Sequence, residues 1–487
     1  MPSLLELSNE ILHEILLLVD PGDLACLAQC CRSLRTFIND SELLWKDFYL
    51  RNFDDPRLQR QDVKFSWQAD FSRMWKLNLL LSSESVESKK ANFPFISSAV
   101  DDLVALSSSC SQSSATARFL RRHFGESSTT NRAAILSGSS LYHRAGSEVQ
   151  KPFDDECDRQ MSAKLAVLHG VPMELSDRRQ TKPVHSYARS RVYDLRRYTD
   201  ETLWGPFMDD GSQRVDWENL ESLLIVLSWN INRFCERAYG RFRPLWNVPF
   251  TGVPTNSFRS KAPYRFADDP SDDDSGMLEA MHMITPATST DAPNFQRVDS
   301  PLNNTHSLLD EQDPYGVTGT WARIVCFLDY TELYHFNFEG HPIPDNQPRE
   351  PITTPEAIRF ITLNLRVRRI EAPGPGDGQE LPIVHFVGTS RSMHSSWDPN
   401  ANSKIRGTVR QTPEGYVRWT SFSIFHGEER WRSECVQIGG LRSARGMLGT
   451  WFDKDNNPEG PAGPTAFWKI SDSLMKGAGH PPLLPLT

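Results

Sequence analysis

Residues Leu7-Ser8-Asn9-Glu10-Ile11-Leu12-His13-Glu14-Ile15-Leu16-Leu17-Leu18-Val19, followed by Asp20-Pro21-Gly22, decide how the N-terminal part of the chain is read. Ile11, Leu12, Ile15, Leu16 and Val19 recur at helical spacing, while Leu17 and Leu18 fall outside that face. Ser8 stands where an N-cap hydroxyl accepts from an orphan first-turn N–H, and Glu10 sits near the positive end of the helix dipole. Asp20-Pro21-Gly22 stops this helix, because proline cannot continue the hydrogen-bond ladder. Asp23 reads as the cap of a second short helix carrying Leu24, Leu27, Ala28 and Cys31. A third starts near Ser41 and presents Leu43, Leu44, Trp45 and Phe48. So small a set of helices cannot bury apolar residues on more than one face by itself, and the surplus predicts either a partner surface or cover by the rest of the chain.

The second half has a different texture. Gly319–Leu328, Leu333–Phe338, Ile358–Val367, Ile383–Gly388, Ile405–Val409, Tyr416–Phe422 and Glu434–Gly439 are β-branched and aromatic, and Gly, Pro, Asp and Asn separate them. That pattern predicts successive short strands in an antiparallel barrel or sandwich. Between the halves, Trp217–Phe234 reads as a strong helix with Asp216 as its cap, and Trp217 and Trp229 as packing anchors. Arg189, Arg191, Arg196 and Arg197 beside Tyr193 and Tyr198 read as arginines flanking a strand, a solvated or locally ion-paired face more than a phosphate site. Serines at 82–88, 107–114 and 137–140 read as helix caps and loops.

The N-terminal spacing resembles the F-box motif. Leu7 to Val19, then Asp23-Leu24, Leu27, Cys31-Arg32 and Leu44-Trp45, follow that family's order, with Leu7-Ser8 standing where Leu-Pro is usual. The resemblance implies docking on a Skp-type adaptor of a cullin-based SCF ubiquitin ligase, with Leu7, Ile11, Leu12, Ile15, Leu16, Leu24, Leu27 and Trp45 as the candidate docking set. Some of these must instead hold the helices together. Gly319-Thr320-Trp321 resembles the opening of calycin-type barrels, in which the indole closes one end. Arg442–Trp451 and Gly460–Lys469 resemble the C-terminal region of F-box proteins that use a barrel as receptor domain. The expected fold class is therefore α+β and multidomain: an F-box over 1–55, a helical region over 56–180, a strand and long helix over 181–265, an acidic flexible insertion over 266–316, an antiparallel β-barrel over 317–475 and a tail over 476–487.

Composition narrows the function. The 487 residues are 38% hydrophobic and 24% charged, ordinary for a globular chain. Net charge is −9, yet residues 266–316 hold eleven acids against the single base Arg297, so the remainder is close to neutral. With no comparable basic face, no nucleic-acid partner is expected. The apolar run Ile15–Val19 is far shorter than a span, no basic leader precedes it, and no membrane partner is expected. Eight cysteines without a C-x-x-C pair argue against a disulfide framework or zinc module and fit a cytoplasmic or nuclear protein. No P-loop, dinucleotide fingerprint, H-E-x-x-H or G-x-S-x-G is present, so no cofactor, metal or catalytic residue is assigned.

Two readings follow. In the first, the chain is the non-catalytic target-recognition subunit of an SCF-type ligase, with the cullin scaffold and a protein target, not identified by the sequence, as further partners. Arg418, Trp419, Trp431 and Arg432 pair residue types enriched at binding hot spots and are the candidate target-binding set. Arg432→Glu is expected to lose target binding without lowering stability, unless that arginine is structural. In the second reading, the barrel carries a small apolar ligand and the F-box controls the carrier's own turnover.

Overall fold

A computed structural model describes residues 4–58, 65–107, 114–125, 129–136, 138–145, 152–170, 178–237, 244–259, 308–345, 347–392 and 402–474. The chain divides into two compact units, Met1–Pro172 with Trp246–Ser257, and Met173–Leu245 with Phe258–Thr487.

The first unit is helical. It runs α1 (Asn9–Leu17), α2 (Pro21–Cys30), α3 (Arg32–Asp40), α4 (Glu42–Asn52), α5 (Trp67–Ser82), α6 (Val86–Ala91), α7 (Phe93–Leu106), α8 (Ala115–Phe124), α9 (Thr129–Leu136), α10 (Ser140–Arg144) and α11 (Glu156–His169). Local chemistry sets the boundaries. The Asp20 carboxylate, not that of Asp23, caps α2 by accepting from Gly22 N at 2.8 Å, with Pro21 in the first turn where its missing N–H costs nothing. A helix the sequence reading did not separate, α3, lies between α2 and the helix that Ser41 caps through Leu44 N. Ser8 takes the N-cap place of α1 without a capping bond from its side chain. The Glu10 carboxyl is instead held below its usual range by its own backbone N–H and by the Ser8 hydroxyl. Ser85 and Ser114 cap α6 and α8, as the serine clusters suggested, and Ser66, outside those clusters, caps α5, while residues 108–113 and 137 lie outside the described residues. Asp54 couples two distant helices by accepting from Ser114 Oγ at 2.5 Å and Ala115 N at 3.0 Å.

The second unit is a closed barrel of eight antiparallel strands in sequence order: β1 (Gly319–Phe327), β2 (Ala357–Glu371), β3 (Ile383–Ser392), β4 (Asn402–Gln411), β5 (Val417–Phe425), β6 (Glu428–Gln437), β7 (Met447–Asp453) and β8 (Ala462–Ser471). Two helices precede it, α12 (Arg178–Val192) and α13 (Trp217–Arg237), and α14 (Tyr330–Phe338) connects β1 to β2. Six of the seven expected strands are present. The seventh, Leu333–Phe338, belongs to α14, which Asp329 caps through Thr331 N at 2.9 Å. A run of mixed aromatic and polar residues there matched either period, and the cap decides. Likewise α12 and a short 3-10 turn at Leu195–Arg197 occupy the stretch read as a strand near Arg189–Arg197.

Three of those four arginines are locked to acids. The Glu356 carboxylate, on a side chain 2% exposed, accepts from Tyr193 Oη at 2.6 Å and Asn230 Nδ2 at 2.9 Å and forms an ion pair with Arg189 at 3.1 Å, which pins α12 and α13 to the segment before β2. Arg191 pairs with Asp216 at 3.0 Å, and Arg196 with Asp194 at 2.8 Å. Neighbouring Arg191, then burial, pulls Arg197 down to about 10. Asp216 also caps α13 through Asn219 N at 3.0 Å, as expected. Packing against α13 buries the outward faces of β1, β7 and β8, including Ile324, Leu448 and Ala466.

Inside, Trp321, Leu363, Leu365, Val367, Phe386, Val409, Trp419 and Phe467 form one apolar cluster with Tyr315 and Val317. Residues 266–307 of the acidic stretch lie outside the described residues. Its last residues differ from the expected insertion. Asp313 accepts from Tyr315 N and Val317 N at 2.8 and 2.6 Å, and the loop so formed plugs one barrel end, where Trp321 Nε1 donates to Val317 O at 2.9 Å. Gly319 is required beside it: its φ is 143°, and a Cβ would sit 2.3 Å from Ser471 O.

Each unit buries a neutral histidine. Burial first, then Arg122 and Lys89, brings His123 down to about 4, and burial with Arg189 and Arg233 brings His185 down to about 3. Both stay neutral when folded, whereas unfolded histidine takes up a proton below about pH 6.5. Stability is therefore whole above that value and falls as pH drops from about 6.5 towards the folded values. Urea midpoints are expected to be lower at pH 5 than at pH 7, with His123→Gln flattening the dependence of the helical unit. Equal midpoints for the unmodified protein would contradict this.

Candidate functional site

The structure splits the broad apolar stripe of α1 into two faces. Leu12 and Leu16 turn inward, at 5% and 1% exposure, while Ile11 and Leu18 stand at 51% and 82%. Two polar contacts fix this rotation. His13 Nε2 lies 2.9 Å from Asp47 Oδ2 on α4, and Arg51 Nη1 donates to Leu17 O at 2.6 Å, satisfying a carbonyl at the C-terminal end of α1. The outer face that remains forms a shallow depression of about 320 Å³ lined by Glu10, Ile11, Glu14, Ile15, Leu17, Leu18 and Arg51. Its floor is aliphatic and its rim carries two acids and a base.

The eight candidate docking residues thus divide. Leu12, Leu16, Leu24 and Trp45 are buried within the helical unit. Trp45 donates Nε1–H to Ile38 O at 2.7 Å and packs its ring on Phe71 at 5.7 Å, so it fastens α4 to α3 and α5. Leu7, Ile15 and Leu27 are half-buried, and Ile11 is exposed. Leu18 and Arg51 line the depression although the sequence reading set Leu18 aside. The signal was there, since Leu18 follows Ile11 by seven residues and so returns to the same side of the helix.

Strand alternation separates the four candidate target-binding residues just as sharply. Trp419 faces inward and packs edge-on against Trp321 at 5.3 Å, deep in the barrel core. Trp431 also faces inward, half-buried, against Trp451 at 5.3 Å. Arg418 and Arg432 face outward and both hold Glu434, a fully buried carboxylate, at 2.8 and 2.6 Å. Thr420 Oγ1 donates to the same carboxylate at 2.9 Å. The loop before α13 lies over this trio: the Phe207 ring is 5.4 Å from the Arg418 guanidinium, and a Cβ on Gly205 would come within 2.8 Å of Glu434 Cβ. Two arginines on one buried acid are a clamp for that loop. They are not brought together with Trp419 or Trp431 as one surface.

Among the described residues no cluster of histidine, cysteine or carboxylate groups is placed to hold a metal ion, and no helix is long and apolar enough to cross a membrane. A family model for F-box-like domains matches residues 7–51, the segment from α1 to α4 that carries the exposed depression, so this segment is an F-box-like domain. No curated protein and no solved structure gives a significant match.

Removing one partner from a buried ion pair leaves an uncompensated charge. Arg432→Glu is accordingly expected to destabilise the barrel unit, because it sets a second acid against Glu434. Glu434→Gln is expected to cost about 3 kcal/mol in urea unfolding. Midpoints unchanged by both substitutions would mean that the clamp contributes nothing.

Proposed function

We propose that this chain is the target-recognition subunit of an SCF-type ubiquitin ligase, in which the F-box-like domain docks a Skp-type adaptor bound to a cullin and the barrel unit holds the target. The observation that carries this reading is the aliphatic outer face of α1. Its inner residues are already spent on the helical core, so the free apolar surface of Ile11, Ile15 and Leu18 calls for a partner. Such a subunit performs no chemistry itself. Holding a target lysine near a charged conjugating enzyme raises its effective concentration, which is sufficient for transfer.

The filled apolar half of the barrel supports a receptor more than a carrier of a bulky apolar ligand. Trp321, Phe386 and Trp419 meet at ring distances of 5.3 and 5.7 Å, and the Tyr315–Val317 loop closes that end over them.

The test uses residues that do not hold the fold. Ile11→Asp combined with Leu18→Asp is expected to abolish capture of a Skp-type adaptor in a pull-down with the full chain, with little change in thermal stability because both side chains are exposed. Leu16→Asp, by contrast, is expected to unfold the helical unit, since it places a charge at a site with 1% exposure. Undiminished capture by the double variant would overturn the assignment of the docking face.

A further inference from the structure

Register around the barrel collects cations that stand apart in the sequence. Directly paired residues point to the same side of a sheet. The outward row Arg366, Val387 and Arg406 therefore crosses β2, β3 and β4, with the rows Asn364, Thr389, Lys404 and Thr362, Arg391, Asn402 beside it. Arg366, Arg391, Lys404 and Arg406 are all exposed, and no acid occupies any position of the three rows. Acids stand at the margins: Glu429 on β6 pairs with Arg406, and Glu371 at the end of β2 holds Arg369 and His385. Arg366 and Lys404 make no ion pair with any described residue. Unlike the outward faces of β1, β7 and β8, this one is not buried under α13.

Spacing and floor decide what such a face can hold. Lys404 and Arg406 are two residues apart on one strand, about 7 Å, and an extended polypeptide repeats its same-side side chains at that interval. Arg366 and Arg406 stand on either side of β3, about 10 Å apart. Val387 and Thr389 between the cations are short, so an extended chain can lie low enough for its carboxylates to reach them. Glu429 takes only Nε of Arg406 and leaves its other donors open. No aromatic ring stands free to stack a nucleic-acid base, because the Phe422 ring beside the face is already covered by Arg406 at 4.4 Å and Arg432 at 5.7 Å. The chain as a whole carries −9, and its repulsion of a polyanion grows with the length of that polyanion. A short acidic polypeptide segment is the better match.

We propose that the outward face of β2, β3 and β4 binds an extended acidic segment of the target, with carboxylates at alternate positions meeting Arg366, Arg391, Lys404 and Arg406. A guanidinium receives a carboxylate through two parallel N–H bonds, which fixes orientation as well as charge. The inference rests on the reading of the barrel unit as the part that holds the target, and it supplies the chemistry of that target. Its test needs no adaptor, so its failure leaves adaptor capture by α1 standing.

Fluorescence anisotropy of the full chain with a labelled peptide of about twelve residues, alternating glutamate and threonine and blocked at both ends, tests it. Saturable binding is expected at about 50 mM salt, with a clear loss of affinity at about 200 mM. Arg366→Glu combined with Lys404→Glu is expected to weaken it about tenfold or more, without lowering the melting temperature because both side chains are exposed. Arg366→Lys combined with Lys404→Arg, which conserves charge, is expected to retain binding, and a peptide alternating glutamine and threonine is expected not to bind. Absence of saturable binding, equal binding by the glutamate double variant, or tighter binding of a single-stranded oligothymidylate would overturn the proposal. So would binding gained only after the carboxylates of residues 266–307 are replaced by amides, which would assign the face to the chain's own acidic stretch.

Discussion

Pairing of β1 with β8, from Trp321 opposite Lys469 to Val325 opposite Thr465, closes the barrel, and most of the second unit follows from that closure. A closed sheet has no free edge, so every strand residue is committed to the inside or the outside. That commitment separates residues adjacent in sequence by the thickness of the sheet. Arg418 and Trp419 are neighbours in the chain, yet one clamps Glu434 beneath an outer loop and the other lies in the core. The same alternation carries Arg323 into the interior while Ala322 and Ile324 turn towards the helical cover.

Polar groups do different work in different layers. On the outside, buried acids are matched by arginines that tie the loop before α13 and the α12–α13 pair to the sheet, through Glu434 and Glu356. Inside, one half is packed with aromatic and aliphatic side chains and the other is lined with small hydroxyls around the Arg323 guanidinium. The helical unit follows another economy. Its polar contacts, His13 with Asp47 and Arg51 with Leu17 O, set the rotation of α1, and that rotation decides which leucines are free to meet a partner.

Much of this was legible in the sequence, and the failures have physical causes. Three of the four helices of the F-box-like segment announce themselves through spacing and stops, while α3 does not, and Asp20 rather than Asp23 supplies the α2 cap, because a proline in the first turn favours the residue before it. Six strands could be read from β-branched and aromatic runs. Leu333–Phe338 could not, since its composition suits a strand and only the Asp329 cap reveals a helix. The exposed face of α1 is half legible: periodicity finds the apolar stripe but does not say which half the core claims. The candidate target-binding residues Arg418, Trp419, Trp431 and Arg432 stand out by residue type, and type carries no information about which side of a strand is buried. The basic face gives no sequence signal, because only the register of β2, β3 and β4 brings Arg366, Arg391, Lys404 and Arg406 together.

The central claim, that the outer face of α1 is where an adaptor docks, is tested most directly by amide hydrogen exchange on the full chain with and without a Skp-type adaptor. The account predicts strong slowing over residues 9–18 in the complex, with exchange in the strands of the barrel unchanged. A complex that forms while residues 9–18 exchange as before, or no complex at all, would contradict it.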